Sequence, residues 1–314
     1  MTTDTVFPVR LALGAAPLAG LYAGVDEETA FATLTAAHAA GILHIDTAPL
    51  YGSGLSESRI GGWLARHPSA RCTLSTKVGR TLTPATGQPA SHFIGGDRYG
   101  TRFDYAEPAI LRGFEESCAR LGRDTIDTLL LHDIGAMTHG SGADAVFAQA
   151  LTEALPTMAR LKAEGRVGRI GLGVNEWQVA MQLLDRFPID VILLAGRYTL
   201  MDRSGLALLD RALAAGVEVW AAGIFNSGLL AGGDMFDYAP ASATLLARRD
   251  SLRTLCAAFG VPITAAAIQF AARHPAVTMT LVGARDAGEV AAAVTSAATK
   301  IPEALWARLN EGIA

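Results

Sequence analysis

The stretch LHIDTAPLYGSGLSESRIGGWLARH, residues 43 to 67, contains one complete strand-to-helix unit. It opens with a short apolar run that ends at Asp46, and residues 56–67 carry apolar side chains at helical spacing. A Gly-rich turn between the two halves holds Tyr51. The pattern therefore predicts a buried strand that delivers an acid and a phenol into the turn before a helix.

The same unit recurs along the chain. Short runs rich in Val, Ile and Leu are each followed by a segment with helical spacing of apolar residues. The predicted strands lie near 11–15, 43–46, 72–77, 125–131, 169–174, 191–194, 218–221 and 279–282. The predicted helices cover 26–41, 56–67, 107–122, 144–165, 176–187, 204–216, 243–260 and 286–298, with a tail helix in IPEALWARLNEG.

Eight repeats of strand and helix without a Pro/Ser-rich linker predict an α/β fold, a single-domain (β/α)8 TIM barrel over residues 1–314. A Rossmann sheet is the competing architecture, and it usually places GxGxxG after its first strand. This chain has GAAPLAG there, and GLGVN at 171–175 lacks the third glycine. The Gly-rich, polar segment 81–105 is expected to be a long loop on the functional rim.

The composition narrows the class of partner. Half of the 314 residues are hydrophobic and the formal net charge is −4, without a long Lys/Arg run, which argues against nucleic acid as a partner. No apolar stretch reaches about 18 residues, so no membrane span is expected. The N-terminus does not have the pattern of a signal peptide, and the three cysteines lack metal-binding spacing. We expect a cytoplasmic protein without disulfides or metal, and the sequence leaves the oligomeric state open.

Polar residues stand at the ends of four consecutive predicted strands. Asp46 ends the second strand, Lys77 ends the third, His132 follows the fourth and Asn175 follows the fifth. Barrel enzymes carry their chemistry at this end of the strands. Taken singly, each residue has an ordinary interpretation as a turn, surface, packing or core residue, so the argument depends on their alignment along one rim.

Chemistry suggests a role for each residue of the group. A lysine that closes an apolar strand needs a partner, and Asp46 on the adjacent strand is the nearest one. The ammonium of Lys77 favours the phenolate of Tyr51, so we expect the Tyr51 pKa to fall below its usual value of about 10. His132 would orient the substrate oxygen. Such a set moves a proton, and it implies a cofactor that moves a hydride.

At this point the sequence resembles the aldo-keto reductase superfamily over nearly its whole length. The resemblance is carried by HIDTAPLYGSGLSESRIGGWL, LSTKVGR, GFEESCARLGRDTIDTLLLHD, GRIGLGVNEW, FNSGLL and TLVGARDAGEV. It implies that the family's catalytic Asp, Tyr, Lys and His are Asp46, Tyr51, Lys77 and His132. The cofactor would be NAD or NADP. The residues implied to bind it are Asn175 at the nicotinamide carboxamide, Asn226, Ser227 and Leu229 near the pyrophosphate, and Gly283, Arg285 and Glu289 toward the adenosine end.

The chain departs from the family pattern at three positions. Val174 stands where the family commonly has Ser before Asn, Ala195 or Gly196 where it often has Gln, and Ala222 where an aromatic often stacks on the nicotinamide. Each departure removes a contact to the nicotinamide. The nearby Trp220 is therefore interpreted as a core or rim aromatic.

Within the superfamily the chain looks most like the sugar-oxidising branch, the D-threo-aldose 1-dehydrogenases. That likeness implies oxidation of the C1 hydroxyl of an aldose, of L-fucose, D-arabinose or L-galactose type, to a lactone. His92, Asp97, Arg98 and Tyr99 could bind such a substrate. The alternatives are a pyridoxal 4-dehydrogenase, an aldehyde or ketone reductase, a non-catalytic nucleotide-binding subunit, and an aldolase with a Lys77 Schiff base.

The choice of cofactor depends on the segment after the last strand. Arg285 could face an adenosine 2′-phosphate, but Asp286 follows it and Glu289 lies one helical turn on. Carboxylates repel a phosphate and accept a hydrogen bond from a ribose hydroxyl. We therefore expect use of both cofactors with a preference for NAD, although Asp286 could also serve only as an N-terminal helix charge.

Overall fold

The computed structural model describes residues 9–84, 92–94 and 99–311. Eight parallel strands form a closed barrel in which each strand pairs with its neighbours in chain order. These strands are β1 Leu11–Gly14, β2 His44–Asp46, β3 Thr73–Val78, β4 Ile126–His132, β5 Val167–Val174, β6 Val191–Ala195, β7 Glu218–Ala222 and β8 Val277–Gly283. The predicted (β/α)8 barrel is confirmed.

Helices surround the barrel. They are α1 Glu27–Ala39, α2 Leu55–Arg66, α3 Glu107–Leu121, α4 Ala136–His139, α5 Ala143–Gln149, α6 Leu155–Ala163, α7 Trp177–Leu184, α8 Leu206–Ala215, α9 Ala243–Ala258, α10 Ile263–Ala271, α11 Ala287–Ala298 and α12 Glu303–Glu311. Within the described residues no single helix is long and apolar enough to cross a membrane. Only α9 and α10 together, bent by 99°, reach that length and composition.

Three segments differ from the prediction. The helix expected over 144–165 is divided into α5 and α6 by a π-helical turn at Ala150–Ala154, next to Pro156, which has no backbone N–H to continue the ladder. Helix α10 was not predicted. The expected loop 81–105 contains an antiparallel hairpin, in which Arg80–Pro84 pairs with Tyr99–Phe103.

A small cluster of apolar side chains fills part of the barrel interior. Trp220 is 1% exposed and packs with Leu130, Val191 and Met279. It is therefore a core aromatic, as expected. The second, larger core lies between the outer faces of the strands and the helices.

Strand register determines which side chains meet at the rim. Asp46 lies beside Ser75 on β3, and His132 lies beside Gly173 on β5. Because neighbouring strands are in chain order, the ends of β2, β3, β4 and β5 follow one another around about half of the barrel mouth.

Candidate active site

Lys77 lies at the centre of a buried polar cluster at the carboxyl ends of β2 and β3. Its Nζ lies 2.7 Å from Asp46 Oδ2, 2.9 Å from the carbonyl oxygen of Thr47 and 3.0 Å from the hydroxyl oxygen of Tyr51. The Lys77 and Asp46 side chains are 2% and 3% exposed. The pair predicted from the sequence is thus present, and the ammonium joins it to the phenol.

Asp46 and Tyr51 hold Lys77 in its charged form. Burial by itself lowers the pKa of Lys77, but the Asp46 carboxylate and the Tyr51 oxygen outweigh burial and leave this pKa raised. The ammonium also lies over the Tyr51 ring, 4.7 Å from its centroid. A fixed positive charge therefore faces the phenol.

The expected fall of the Tyr51 pKa was wrong. Burial raises the pKa of Tyr51 to about 12, although Lys77 acts in the opposite direction. Removal of the phenolate from water is the largest effect, Lys77 offsets only part of it, and the Asp46 carboxylate raises the pKa further. Tyr51 is therefore a phenol at neutral pH.

A further set of side chains lies behind Asp46, deeper in the barrel. Ser75 donates a hydrogen bond of 2.7 Å to Asp46 Oδ1. Ser75 Oγ lies 3.0 Å from His44 Nε2, and His44 Nδ1 lies 2.8 Å from Thr73 Oγ1. None of these three residues was singled out from the sequence.

His132 ends β4 beside this cluster and is 7% exposed. Burial, together with the charges of Arg80 and Lys77, holds the pKa of His132 well below its usual value, so the imidazole is neutral. Its Nδ1 is buried and has no partner among the described residues, while Nε2 lies 3.5 Å from Asp133 Oδ2. We assign the proton to Nε2, because the neighbouring carboxylate attracts a donor.

Asp133 is a second acid in the site. It directly follows His132 in LLHD, but the sequence analysis did not predict it as a site residue. Arg80 Nη2 lies 2.5 Å from Asp133 Oδ2. Burial raises the pKa of Asp133, while Arg80 acts to lower it. This ion pair places a hydrogen-bond acceptor beside His132.

The backbone around His132 is fixed from behind. Asp133 has a left-handed φ of 47°, a conformation that Asp tolerates better than most residues. The Tyr105 hydroxyl lies 2.9 Å from the His132 carbonyl oxygen and 2.7 Å from that of Asp133. His139 Nε2 lies 2.8 Å from the same Asp133 oxygen. The turn after β4 is thereby held in one conformation.

Aromatic rings surround the mouth of the cluster. Tyr51 stacks on Phe93 with ring centroids 6.0 Å apart. His92 lies 5.7 Å from the ring of Tyr22 and 6.2 Å from that of Tyr238. Of the residues proposed for substrate binding, Asp97 and Arg98 lie outside the described residues, and Tyr99 begins a strand of the hairpin.

Asn175 follows β5, where it was predicted, and its surroundings are organised by Arg197. Arg197 Nε donates to the Asn175 carbonyl oxygen at 3.0 Å. Its Nη atoms contact Asp202 at 3.2 Å and Asp237 at 2.8 Å. Because Asp237 lies in the segment after β7, Arg197 joins three rim loops. The sequence signal for this residue was a charge in an apolar run, LLAGRYTL.

The FNSGLL loop follows β7, as predicted. Asn226 and Ser227 have left-handed φ angles of 48° and 57°. Asn226 Oδ1 is buried without a partner among the described residues, which fits a polar group of a cofactor. The Ser227 hydroxyl accepts from the Tyr238 amide at 3.0 Å, whereas the Leu229 side chain is fully buried in the core.

The predicted adenosine end lies after β8. Gly283 permits close packing, since a Cβ there would lie 2.9 Å from Pro17 Cγ. The Arg285 guanidinium binds Glu289 at 2.5 Å, and its amide donates to the same carboxylate at 2.8 Å. Asp286 is the N-cap of α11 and accepts from the Glu289 amide at 2.8 Å. Asp286 therefore has the contacts of a helix cap, the alternative role considered for it from the sequence.

A cavity of about 350 Å³ lies next to these residues, lined by Ala23, Gly24, Val25, Asp26, Thr29, Arg285 and Asp286. Two carboxylates and one arginine line it. The arginine is already paired with Glu289. This lining is less suited to a phosphate than to a hydroxyl.

The chain is 39% identical to pyridoxal 4-dehydrogenase of Microbacterium luteolum over 96% of its length and 94% of that protein. It is 34% identical to D-threo-aldose 1-dehydrogenase of Pseudomonas sp (96% and 93%) and 30% identical to L-galactose dehydrogenase of Arabidopsis thaliana (88% and 80%).

A solved structure shares the fold. An aldo-keto reductase from Bacillus halodurans, solved in its holo form, superposes with a TM-score of 0.74 at 24% identity over 99% of this chain and 96% of that one. The model of the Aldo/keto reductase family matches residues 10–314. The chain is therefore an oxidoreductase that belongs to the aldo/keto reductase family.

Proposed function

We propose that this chain is an NAD(P)-dependent dehydrogenase that oxidises the hemiacetal carbon of a small cyclic substrate to a lactone. The observation that carries the proposal is the contact of Lys77 Nζ with both Asp46 and the Tyr51 hydroxyl, beside a neutral His132. This arrangement provides a proton acceptor, a fixed cation to stabilise it and a hydrogen-bond donor for one substrate oxygen.

The acid–base roles follow from the contacts. Tyr51 would act as the base in its phenolate form, which the ammonium of Lys77 stabilises, and would become a neutral phenol on accepting the proton of the substrate hydroxyl. His132 would donate from Nε2 to the same substrate oxygen, in exchange for its long contact of 3.5 Å with Asp133 Oδ2, and hold that oxygen in place. Asn175 and Asn226 would bind the nicotinamide and pyrophosphate ends of the cofactor. When bound, NAD(P)⁺ supplies the acceptor for the hydride that leaves the substrate carbon.

The proposed substrates, an aldose and pyridoxal, share one chemical feature, a cyclic hemiacetal. An aldose in its ring form has a hydroxyl on C1, and pyridoxal closes to a hemiacetal because its aldehyde lies beside a hydroxymethyl group. Oxidation of either hemiacetal gives a lactone with one proton and one hydride removed. The aldose is our first candidate, as implied by the likeness to D-threo-aldose 1-dehydrogenase.

Pyridoxal is the second candidate, and two observations favour it. The identity of 39% to a pyridoxal 4-dehydrogenase exceeds the 34% to the aldose enzyme. The mouth of the site is also ringed by Tyr22, Tyr51, Phe93 and Tyr238, which offer stacking surfaces to a flat aromatic ring. The Asp133 carboxylate could accept from a hydroxyl of either substrate.

A substrate panel tests the proposal. Free aldoses of D-threo type and pyridoxal are assayed with NAD⁺ and NADP⁺ by the absorbance of the reduced nicotinamide. The matched controls are the methyl glycosides, whose anomeric oxygen has no proton, and pyridoxal 5′-phosphate, whose blocked hydroxymethyl group cannot close the ring. We expect turnover of at least one hemiacetal and none of its control. Equal turnover of pyridoxal and its phosphate, or activity only with NAD(P)H and open-chain aldehydes, would contradict the proposal.

A further inference from the structure

A chain of hydrogen bonds runs from the floor of the barrel to the lysine. It follows the inward positions of two neighbouring strands: His44 and Asp46 on β2, and Thr73, Ser75 and Lys77 on β3. The links measure 2.8 Å from Thr73 to His44, 3.0 Å from His44 to Ser75, and 2.7 Å from Ser75 to Asp46. Asp46 then contacts Lys77 at 2.7 Å.

The hydrogens in this chain have one consistent arrangement. The Asp46 carboxylate only accepts, so the single hydrogen of the Ser75 hydroxyl goes to Oδ1. Ser75 Oγ must then accept from His44 Nε2, which carries the imidazole proton. The bare Nδ1 of His44 accepts from the Thr73 hydroxyl. Burial and the charges of Arg10, Arg169 and Lys77 lower the pKa of His44 to about 4, so the ring stays neutral.

We propose that His44 and Ser75 are positioning residues of the acid–base site, which keep a donor on Asp46 Oδ1 and thereby keep the proton of the ion pair on Lys77. A carboxylate that already accepts one strong hydrogen bond withdraws the ammonium proton less. No proton travels along the chain. The inference rests on the proposed roles of Tyr51 and Lys77.

The effect on Tyr51 follows from the charge on Lys77. Without the Ser75 hydroxyl, Asp46 Oδ1 is buried with no side-chain donor among the described residues, and the carboxylate draws the Lys77 proton toward itself. The phenolate of Tyr51 then loses part of its stabilisation, so the Tyr51 pKa rises further. The titratable groups that act on Tyr51 are Lys77, Asp46 and Tyr238, and the variants below keep all three.

The test is the pH profile of kcat for hemiacetal oxidation in the full-length enzyme. Ser75→Ala and His44→Leu should lower kcat at neutral pH by about ten- to a hundredfold, the value of one hydrogen bond to a charged group. The rising limb should move up by about one to two pH units, the shift that matches this loss, so that activity returns at high pH, while KM stays within about threefold. His44→Gln should restore most of the activity, because its amide can donate to Ser75.

A matched control and a direct measurement complete the test. Thr280 on β8 has a buried hydroxyl without a partner among the described residues, so Thr280→Val should leave the profile unchanged. In the wild-type protein, ¹⁵N NMR should show His44 protonated at Nε2 alone. The NMR measurement does not depend on the variants folding.

The outcomes separate this inference from the proposed function. A wild-type profile for Ser75→Ala, an equal loss at every pH, or an Nδ1-protonated His44 would overturn the role of His44 and Ser75. If Tyr51→Phe retains wild-type activity, the proposed function fails instead. If Tyr51→Phe is inactive and Ser75→Ala has the wild-type pH profile of kcat, only the role of His44 and Ser75 is refuted.

Discussion

Replacing Tyr51 by phenylalanine removes the hydroxyl 3.0 Å from Lys77 Nζ and keeps the ring that stacks on Phe93. If Tyr51 is the proton-transfer group, kcat should fall by about 10²–10⁴-fold. Lys77 keeps its contacts to Asp46 and Thr47, so the free energy of unfolding should fall by no more than about 1.5 kcal/mol, the value of one typical hydrogen bond.

Lys77→Met acts on the same step and has a different cost in stability. It leaves the Asp46 side chain, 3% exposed, with Ser75 as its remaining side-chain donor among the described residues. Removing one partner of a buried ion pair costs about 3–5 kcal/mol. Because both variants remove the same proton transfer, their losses in kcat should not multiply, and the double variant should lie within about tenfold of the less active single one.

The assay measures kcat at saturating substrate and cofactor, cofactor affinity by fluorescence quenching, and unfolding in urea. Tyr198→Phe is the matched control, since that phenol packs on Phe270 with ring centroids 4.9 Å apart and, within the described part of the chain, has no hydrogen bond or ring contact with the cluster. More than about a tenth of the wild-type kcat in Tyr51→Phe would refute its role, given the size of acid–base effects. Multiplying losses would show that Lys77 serves another step.

Two further predictions concern pH and cofactor. Burial raises the pKa of Tyr51 to about 12, so the fraction of phenolate grows throughout the range from about pH 6 to about pH 10. Over this range kcat/KM for oxidation should therefore rise, whereas kcat/KM for reduction, which needs the phenol, should stay nearly constant; a flat oxidation profile would contradict this. Glu289→Ala frees the Arg285 guanidinium and should raise the NADP⁺/NAD⁺ ratio of kcat/KM by about tenfold. Asp286→Ser keeps a helix cap and should change this ratio by less than about threefold. A larger change in Asp286→Ser than in Glu289→Ala would place Asp286 at the ribose 2′ position.

The fold could be predicted because its strands are buried on both faces. Each barrel strand appears as a short apolar run, and the predicted bounds agree with the structure within about two residues. Helix α10 was missed for the same reason. Residues 265–271 of ITAAAIQFA are all buried, so the segment needs apolar residues on nearly every side. It therefore shows no periodicity that would distinguish a helix from a strand or a loop.

The candidate site was predicted where it faces the rim and missed where it continues inward. Asp46 and Lys77 stand out because charged residues end apolar strands. His44, Thr73 and Ser75 look like ordinary polar residues of a strand. Their spacing nevertheless held the signal, because Thr73, Ser75 and Lys77 alternate on one face of β3, and His44 and Asp46 alternate on β2. Polar residues in this alternation point into a barrel, where each needs a partner.

The sign of the Tyr51 pKa shift could not be predicted at all. The sequence places an ammonium beside a phenol, and that contact alone lowers the pKa. The observed rise is the balance of two large opposing effects, burial and Lys77, with Asp46 adding to the first. Burial depth depends on the packing of the whole rim, including Phe93. The protein's own side chains therefore leave the proton on Tyr51, and oxidation at neutral pH requires Lys77 to keep its full charge, which is the state that the contacts of Asp46 with Ser75 and Lys77 maintain.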